Sequence, residues 1–147
     1  SSILPIHADS WTGESPFQVN LWIPLTDCFD SNSMFIIDEN RTMKAVKKIV
    51  EIDNNKSFDL DKIKINKKDF LKLRYGEIII FNPALLHGNV LNKTDKTRIS
   101  LNLRLKALMA PENKNNPDRK YGTFYKKFNL SDNSKFAFEY ISSGIFK

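Results

Sequence analysis

Two short motifs, far apart in the chain, carry side chains that bind transition metals. His7 and Asp9 stand two residues apart in an apolar stretch, and His87 follows a second apolar run. Residues i and i+2 of a strand point to the same face, so the His7 imidazole and the Asp9 carboxylate are predicted to converge. Two histidines and one carboxylate are the ligand set of the facial triad that holds non-haem Fe(II). His7 and His87 are the only histidines in the chain, which favours their pairing in one site.

Each of these residues also has a plainer interpretation. A histidine on a strand is often a hydrogen-bonded structural residue, and for His7 alone that role is favoured. The complete set of His7, Asp9 and His87 shifts the interpretation to metal ligation.

The elements that must position these residues are mainly strands. Alternation of apolar and polar residues predicts strands at 17–25 and 98–106, and short β-rich runs predict further strands at residues 3–8, 34–37, 78–81 and 85–87. Helical spacing of apolar residues predicts a helix from Glu39 that buries Met43, Val46, Ile49 and Val50. A second helix is predicted at 134–141. Residues 39–73 are interpreted as an insertion between strands of a single domain.

Composition and charge narrow the class of protein. A hydrophobic fraction of 41% is typical of a globular domain, and no apolar run approaches the length of a membrane span. The net charge of +6 comes from scattered lysines, which favours a solvated surface over a nucleic-acid partner. Cys28 is the single cysteine, which excludes an intrachain disulfide and favours a reducing, cytoplasmic location.

Several motifs occur in a characteristic order: His7-x-Asp9, residues 17–27 (FQVNLWIPLTD), residues 76–81 (GEIIIF), His87-Gly88, and Arg98 eleven residues after His87. This ordered set resembles the Fe(II)- and 2-oxoglutarate-dependent oxygenases, specifically their phytanoyl-CoA hydroxylase-like branch. The resemblance runs from residue 3 to about residue 106, and residues 39–73 match poorly. It implies a mainly β fold, a double-stranded β-helix (jelly roll, cupin-like) with a short helical insertion and a C-terminal helix.

The resemblance also implies a reaction and a set of roles. His7, Asp9 and His87 would bind Fe(II), and 2-oxoglutarate would be the cosubstrate. Arg98 stands where the family has the residue that binds the distal carboxylate of 2-oxoglutarate, and Ser100 completes the family's Arg-x-Ser pattern. A planar guanidinium suits this role because it forms two parallel hydrogen bonds to a carboxylate. Oxidative decarboxylation of 2-oxoglutarate would then be coupled to hydroxylation of an unactivated C–H bond.

Other residues are candidates to line the substrate pocket. Gln18, Asn20 and Trp22 share one face of a predicted strand, where pocket lining and core packing are equally supported. Asn89 and Asn92 follow His87 in a loop. Trp11 and Glu14 follow the first ligand pair, where an ordinary loop role is favoured over substrate contact. Residues 11–18 are similar to family members from carbohydrate and antibiotic biosynthesis in bacteria, including streptomycin-type clusters, so the substrate expected is a small, sugar-derived molecule.

The chain is shorter than the family's usual members, and it is expected to be the C-terminal part of a longer jelly-roll oxygenase. A jelly roll lacking its preceding elements would expose apolar surface and a strand edge, which predicts a homo-oligomer. The alternative is a cupin-like metal- or sugar-binding protein without oxygenase activity, in which Arg98 and Ser100 would have no cosubstrate. A nucleic-acid-binding module ranks last.

Overall fold

The computed structural model describes residues 3–51, 60–107, 110–111, 116–120 and 122–143, and its strands form two small antiparallel sheets. One sheet has the order β3-β1-β5, with β1 at Gln18–Pro24, β3 at Ile79–Phe81 and β5 at Ser100–Lys106. The other pairs β2, Met34–Ile36, with β4, His87–Asn89. Helix α1 spans Glu39–Glu51 and α2 spans Asp132–Ser142. The predicted β-rich character is confirmed.

The longest ladder joins β1 to β5. It runs from the pair Gln18 with Lys106 to the pair Pro24 with Ser100, and the Leu25 amide donates to the Ile99 carbonyl at 2.8 Å just beyond it. The two strands predicted from alternation are therefore confirmed, although β5 begins two residues after Arg98.

The two faces of this sheet are buried unequally. Gln18, Asn20 and Trp22 are at most 4% exposed, so the polar and aromatic side of β1 faces inward. Apolar residues of the same sheet face outward, with Val19 42% and Ile80 63% exposed. Buried polar groups require hydrogen-bond partners. The inward polar face of β1 can therefore supply hydrogen bonds to a site.

The prediction of a strand at residues 3–8 is wrong in detail. This segment bends at Ile6 and forms an isolated bridge between His7 and His87, the Asn89 amide donates to the Leu4 carbonyl at 2.9 Å, and Asp9 begins a 3-10 helix, Asp9–Thr12. Pro5 lacks the N–H that a continuous ladder would use. The strand predicted at 85–87 begins later, at His87. The Leu85 amide is used in a turn, where it donates to the Asn82 carbonyl at 3.0 Å.

Helix α1 forms where helical spacing predicted it, but it buries a different stripe. Its buried residues are Thr42 and Ala45, whereas Met43 is 50% and Val50 78% exposed. The Thr42 hydroxyl lies 3.2 Å from the Ile37 carbonyl and 3.3 Å from the Leu86 amide, so a polar contact sets the rotation of the helix. Within the predicted insertion at 39–73, residues 52–59 lie outside the described part.

Two apolar clusters flank the bridge between His7 and His87. One contains Ile6, Ala8, Phe35, Ile37, Ala45 and Leu86, and the other contains Trp22, Cys28, Met34 and Phe81. Residues adjacent to both histidines thus belong to the first cluster, and Phe81 of the second packs its ring 5.0 Å from the His87 ring. The clusters hold the histidine backbone between them.

Self-association stays a prediction, and the outer face of the three-stranded sheet is its expected interface with a second copy. Leu101 and Leu103 on the edge strand β5 are 48% and 46% exposed. We expect light scattering to give a mass above that of one chain, and the double variant Leu101→Lys/Leu103→Lys to give the single-chain mass. The control is Val50→Lys on α1, which should leave the mass unchanged. A single-chain mass for the unmodified protein would contradict the prediction.

Candidate metal centre

The site is built on a reciprocal backbone pairing of its two histidines. The His7 amide donates to the His87 carbonyl and the His87 amide to the His7 carbonyl, both at 2.9 Å. The ring centroids lie 4.3 Å apart. Residues separated by 80 positions are thereby fixed side by side.

Both imidazoles are oriented by the same local contact. His7 Nδ1 lies 2.8 Å from the Pro5 carbonyl, and His87 Nδ1 lies 2.8 Å from the Leu85 carbonyl. A carbonyl oxygen only accepts, so Nδ1 carries the proton in each ring and Nε2 keeps its lone pair. This tautomer, held by an outer hydrogen bond, is the usual state of a metal-binding histidine.

Asp9 completes the group. Its Oδ1 lies 3.5 Å from His7 Nε2 and 3.8 Å from His87 Nε2, and a donor atom from each of the three residues lies within 4.8 Å of the others. Asp9 faces the same point as His7 although it begins a 3-10 helix, because the intervening Ala8 is extended, with φ −119° and ψ 135°. Two imidazole nitrogens and one carboxylate oxygen fit a divalent transition metal with open positions.

The three side chains differ in exposure and in charge. Burial lowers the pKa of His87, whose side chain is 3% exposed, below its ordinary value of 6.5. The adjacent Asp9 carboxylate raises the pKa of His7, whose side chain is 21% exposed. Burial opposes ionisation of Asp9, but His7 and the positive charge of Arg104 hold the pKa of its carboxyl well below its usual range.

Gly88 allows the His87 strand to approach its neighbours closely. A Cβ at this position would lie 2.9 Å from the Leu4 carbonyl oxygen, 2.9 Å from Phe35 Cζ and 3.0 Å from the Pro5 carbonyl oxygen. Two of these atoms belong to the backbone that carries His7. The glycine after His87 is thus a steric requirement of the site.

The predicted face of β1 contacts the site as well as the core. Asn20 Nδ2 donates to Asp9 Oδ2 at 2.6 Å, and Gln18 Nε2 donates to Asn20 Oδ1 at 3.0 Å. Trp22 packs in the cluster that includes Phe81, the ring that contacts His87. Asn20 therefore supports the metal ligand Asp9, and Trp22 packs in the apolar cluster beside the site.

Arg98 and Ser100 do not contact the triad directly. The Arg98 guanidinium carbon lies 5.9 Å from the centroid of the Trp22 ring, and Ser100 is half-buried at the start of β5. Arg98 lines a cavity of about 360 Å³ together with Ile3, Ser31, Asn32, Asn89, Val90, Leu91, Asn92 and Thr97. Trp22 thus lies between Arg98 and the aromatic side chain that packs on His87.

The remaining predicted pocket residues have separate locations. Asn89 lines the Arg98 cavity and accepts a hydrogen bond from the Leu4 amide at 2.6 Å through Oδ1. Asn92 lines the same cavity, and its side-chain Nδ2 donates a hydrogen bond to the Lys96 carbonyl within the same loop at 2.8 Å. Trp11 is 43% exposed on the 3-10 helix. Its location supports the ordinary loop role.

Sequence reasoning missed the charged network behind Asp9, and the ordinary loop role favoured for Glu14 is wrong because its carboxylate is buried in that network. Glu14 is 1% exposed, and its carboxylate lies 2.7 Å from Arg104 Nε and 3.3 Å from Arg119 Nη1. Tyr125 donates a short hydrogen bond to Gln18 Oε1. Arg104 alternates in the sequence with Arg98 and Ser100, so its placement on the same side of the predicted strand could have been recognised. Nothing in the local sequence marks Arg119 or Tyr125.

Comparison with known proteins places the chain in a family. The family model for phytanoyl-CoA dioxygenase (PhyH) matches residues 1–100, which include the triad and Arg98. The chain belongs to the phytanoyl-CoA dioxygenase (PhyH) family. Members of this PhyH family use Fe(II) and 2-oxoglutarate. The resemblance found from the motifs is therefore confirmed.

This PhyH chain also has a bacterial relative. It is similar to the streptomycin biosynthesis protein StrG of Streptomyces griseus, with 28% identity over 99 residues. The aligned part is 67% of the chain and 35% of the relative, so the chain spans about a third of StrG. No solved structure matches the chain. Among the described residues, no helix is long and apolar enough to cross a membrane.

The first test of the site concerns Gly88. We expect Gly88→Ala to lower the free energy of unfolding by roughly 1–3 kcal/mol, since the added methyl group overpacks the contact with Leu4 and Phe35, and to weaken metal binding by displacing His87. The control is Gly76→Ala, where φ is +89° and no atom lies near the added carbon, so strain costs about 1 kcal/mol without touching the site. Urea titration and metal titration measure the two effects. Unchanged metal affinity in Gly88→Ala would contradict the steric argument.

The second test concerns the two imidazole pKa values in metal-free protein. We expect NMR titration to place the pKa of His7 above 6.5 and that of His87 below it, with assignment from His7→Gln. The raised pKa of His7 stabilises the fold below pH 6.5, and that contribution is lost as pH rises through the folded value; His87 destabilises the fold as pH falls below 6.5.

Asp9→Asn is the matched variant, because it removes the carboxylate that raises the pKa of His7 and should lower that pKa. Metal affinity of the unmodified protein should fall as pH drops below the pKa of His7, since the metal must displace its proton. Coincident titration of both histidines near 6.5 would contradict the assigned environments.

Proposed function

We propose that the chain is an Fe(II)- and 2-oxoglutarate-dependent oxygenase that hydroxylates a small molecule. The observation that carries the proposal is the convergence of His7, Asp9 and His87, with both Nε2 lone pairs and one carboxylate oxygen directed to a common point. Because members of the PhyH family use Fe(II) and 2-oxoglutarate, these are the proposed cofactor and cosubstrate. The proposal includes the jelly-roll fold, with which the two antiparallel sheets and the pairing of His7 with β4 are compatible.

The bound group and the chain have separate tasks. Fe(II) with 2-oxoglutarate supplies the activation of dioxygen that hydroxylation of an inert C–H bond requires. His7, His87 and Asp9 Oδ1 would hold the metal on one side. Asn20 holds the other carboxylate oxygen of Asp9, and the apolar clusters exclude water behind the ligands.

Arg98 is the proposed clamp for the distal carboxylate of 2-oxoglutarate. Its guanidinium carbon lies 5.9 Å from the centroid of the Trp22 ring, and it lines a cavity that also offers the side chains of Asn89 and Asn92. A fixed guanidinium beside amide groups suits a carboxylate, because charge-assisted pairs with arginine are bidentate. Ser100, two residues further on, is the proposed second donor.

A sugar-derived substrate is the finer part of the proposal. It is supported by the similarity to a protein named for streptomycin biosynthesis. The Asn92 loop, which lines the same cavity as Arg98, is the proposed substrate-facing element.

The test is an anaerobic titration with Fe(II) followed by 2-oxoglutarate, monitored by the visible charge-transfer band of the chelate. We expect Arg98→Ala to keep its Fe(II) affinity and to weaken 2-oxoglutarate binding about 10- to 100-fold, because a charge-assisted pair worth roughly 1.5–3 kcal/mol is lost. The control is Arg74→Ala, an exposed arginine in a turn. Fe(II) binding without any 2-oxoglutarate band would instead support the cupin-like alternative, a metal-binding protein without oxygenase activity.

A further inference from the structure

The two oxygens of Asp9 have different surroundings. Oδ1 faces both histidine Nε2 atoms, whereas Oδ2 accepts the hydrogen bond from Asn20. Arg104 Nη2 lies 3.4 Å from each oxygen and so spans the carboxylate edge. Asn20 is thus specific to Oδ2, whereas Oδ1 is the oxygen that faces both histidines.

The groups that hold Asp9 are joined behind it into a closed ring. Arg104 Nε forms an ion pair with Glu14 Oε2 at 2.7 Å, although its N–H is not aligned for a hydrogen bond. The same Glu14 oxygen accepts a short hydrogen bond from Gln18, and Gln18 donates to Asn20. Asp9, Asn20, Gln18, Glu14 and Arg104 therefore form a continuous circuit of side chains.

Burial and charge make this circuit stiff. Asp9, Glu14, Gln18 and Asn20 are each at most 3% exposed, so none can exchange its partner for water without cost. The carboxylates of Asp9 and Glu14 are matched by two cations, since Arg119 lies 3.3 Å from Glu14. Buried charges are tolerated when they are paired in this way.

We propose that Arg104, anchored by Glu14, is a positioning residue that fixes the Asp9 carboxylate in the orientation that turns Oδ1 toward the two histidines and the metal. Arg104 and Arg119 follow the stretch matched by the family model, which ends at residue 100. The two arginines of this support thus lie in the part of the chain that the family pattern does not cover, whereas Glu14, Gln18 and Asn20 lie within it. The inference rests on the proposed function, because it assigns a role toward the metal.

An electrostatic role and a positioning role of Arg104 predict opposite changes in metal affinity when Arg104 is removed, so the sign of the change distinguishes them. A cation beside the site repels a divalent metal, so a purely electrostatic role predicts tighter binding when Arg104 is removed. A positioning role requires weaker binding, because outer partners of metal ligands typically contribute 10- to 100-fold in affinity.

The experiment is anaerobic Fe(II) titration, with Co(II) absorption spectra as a report of ligand geometry. We expect Arg104→Met to weaken Fe(II) binding about 10- to 100-fold and to alter the Co(II) bands, and Arg104→Lys to fall between it and the unmodified protein. Glu14→Gln, which releases the anchor but leaves the guanidinium, should weaken binding in the same direction.

The matched control is Arg119→Met, which removes a cation that contacts Glu14 without contacting Asp9. Circular dichroism and urea midpoints show whether each variant is folded, and Arg104→Lys and Glu14→Gln keep the test decisive if Arg104→Met does not fold. Unchanged or tighter binding in these variants would overturn the positioning role. Failure of the unmodified protein to bind Fe(II) or Co(II) would overturn the proposed function together with this inference.

Discussion

The backbone pairing of His7 with His87 is the constraint on which the rest of the molecule depends. Two hydrogen bonds of 2.9 Å fix the start of the chain against β4 and bring two imidazoles into contact. Everything around the pair maintains it. Gly88 permits the close approach, Thr42 ties α1 to the Leu86 amide, and the apolar clusters pack on either side.

Sequence could predict the chemistry of the site better than its local geometry. The two histidines and Asp9 were identifiable because metal ligands are few in type and their spacing is short. The strand expected at residues 3–8 was wrong, yet His7 and Asp9 still converge, since only Ala8 between them must be extended. Arg104 lay on an alternating strand whose face was predicted, but its partner Glu14 depends on tertiary contacts that no period of the sequence encodes.

The rotation of α1 and the burial of the sheet show the same limit. Apolar spacing favoured Met43 and Val50 as core residues, but the hydrogen bonds of Thr42 set the helix orientation. On β1, the polar residues face inward and Val19 faces outward. Hydrophobic periodicity identifies the elements, whereas the polar network of Asp9, Asn20 and Glu14 decides which side of them is inside.

The unequal exposure of the two histidines gives the site a preferred side of entry. The His87 side chain is 3% exposed and packed against Phe81, whereas the His7 side chain is 21% exposed. Water, chelators and oxidants therefore reach the coordination sphere first at His7. His7 would hold a metal on the exposed side of the site, and His87 and Asp9 would hold it on the buried side.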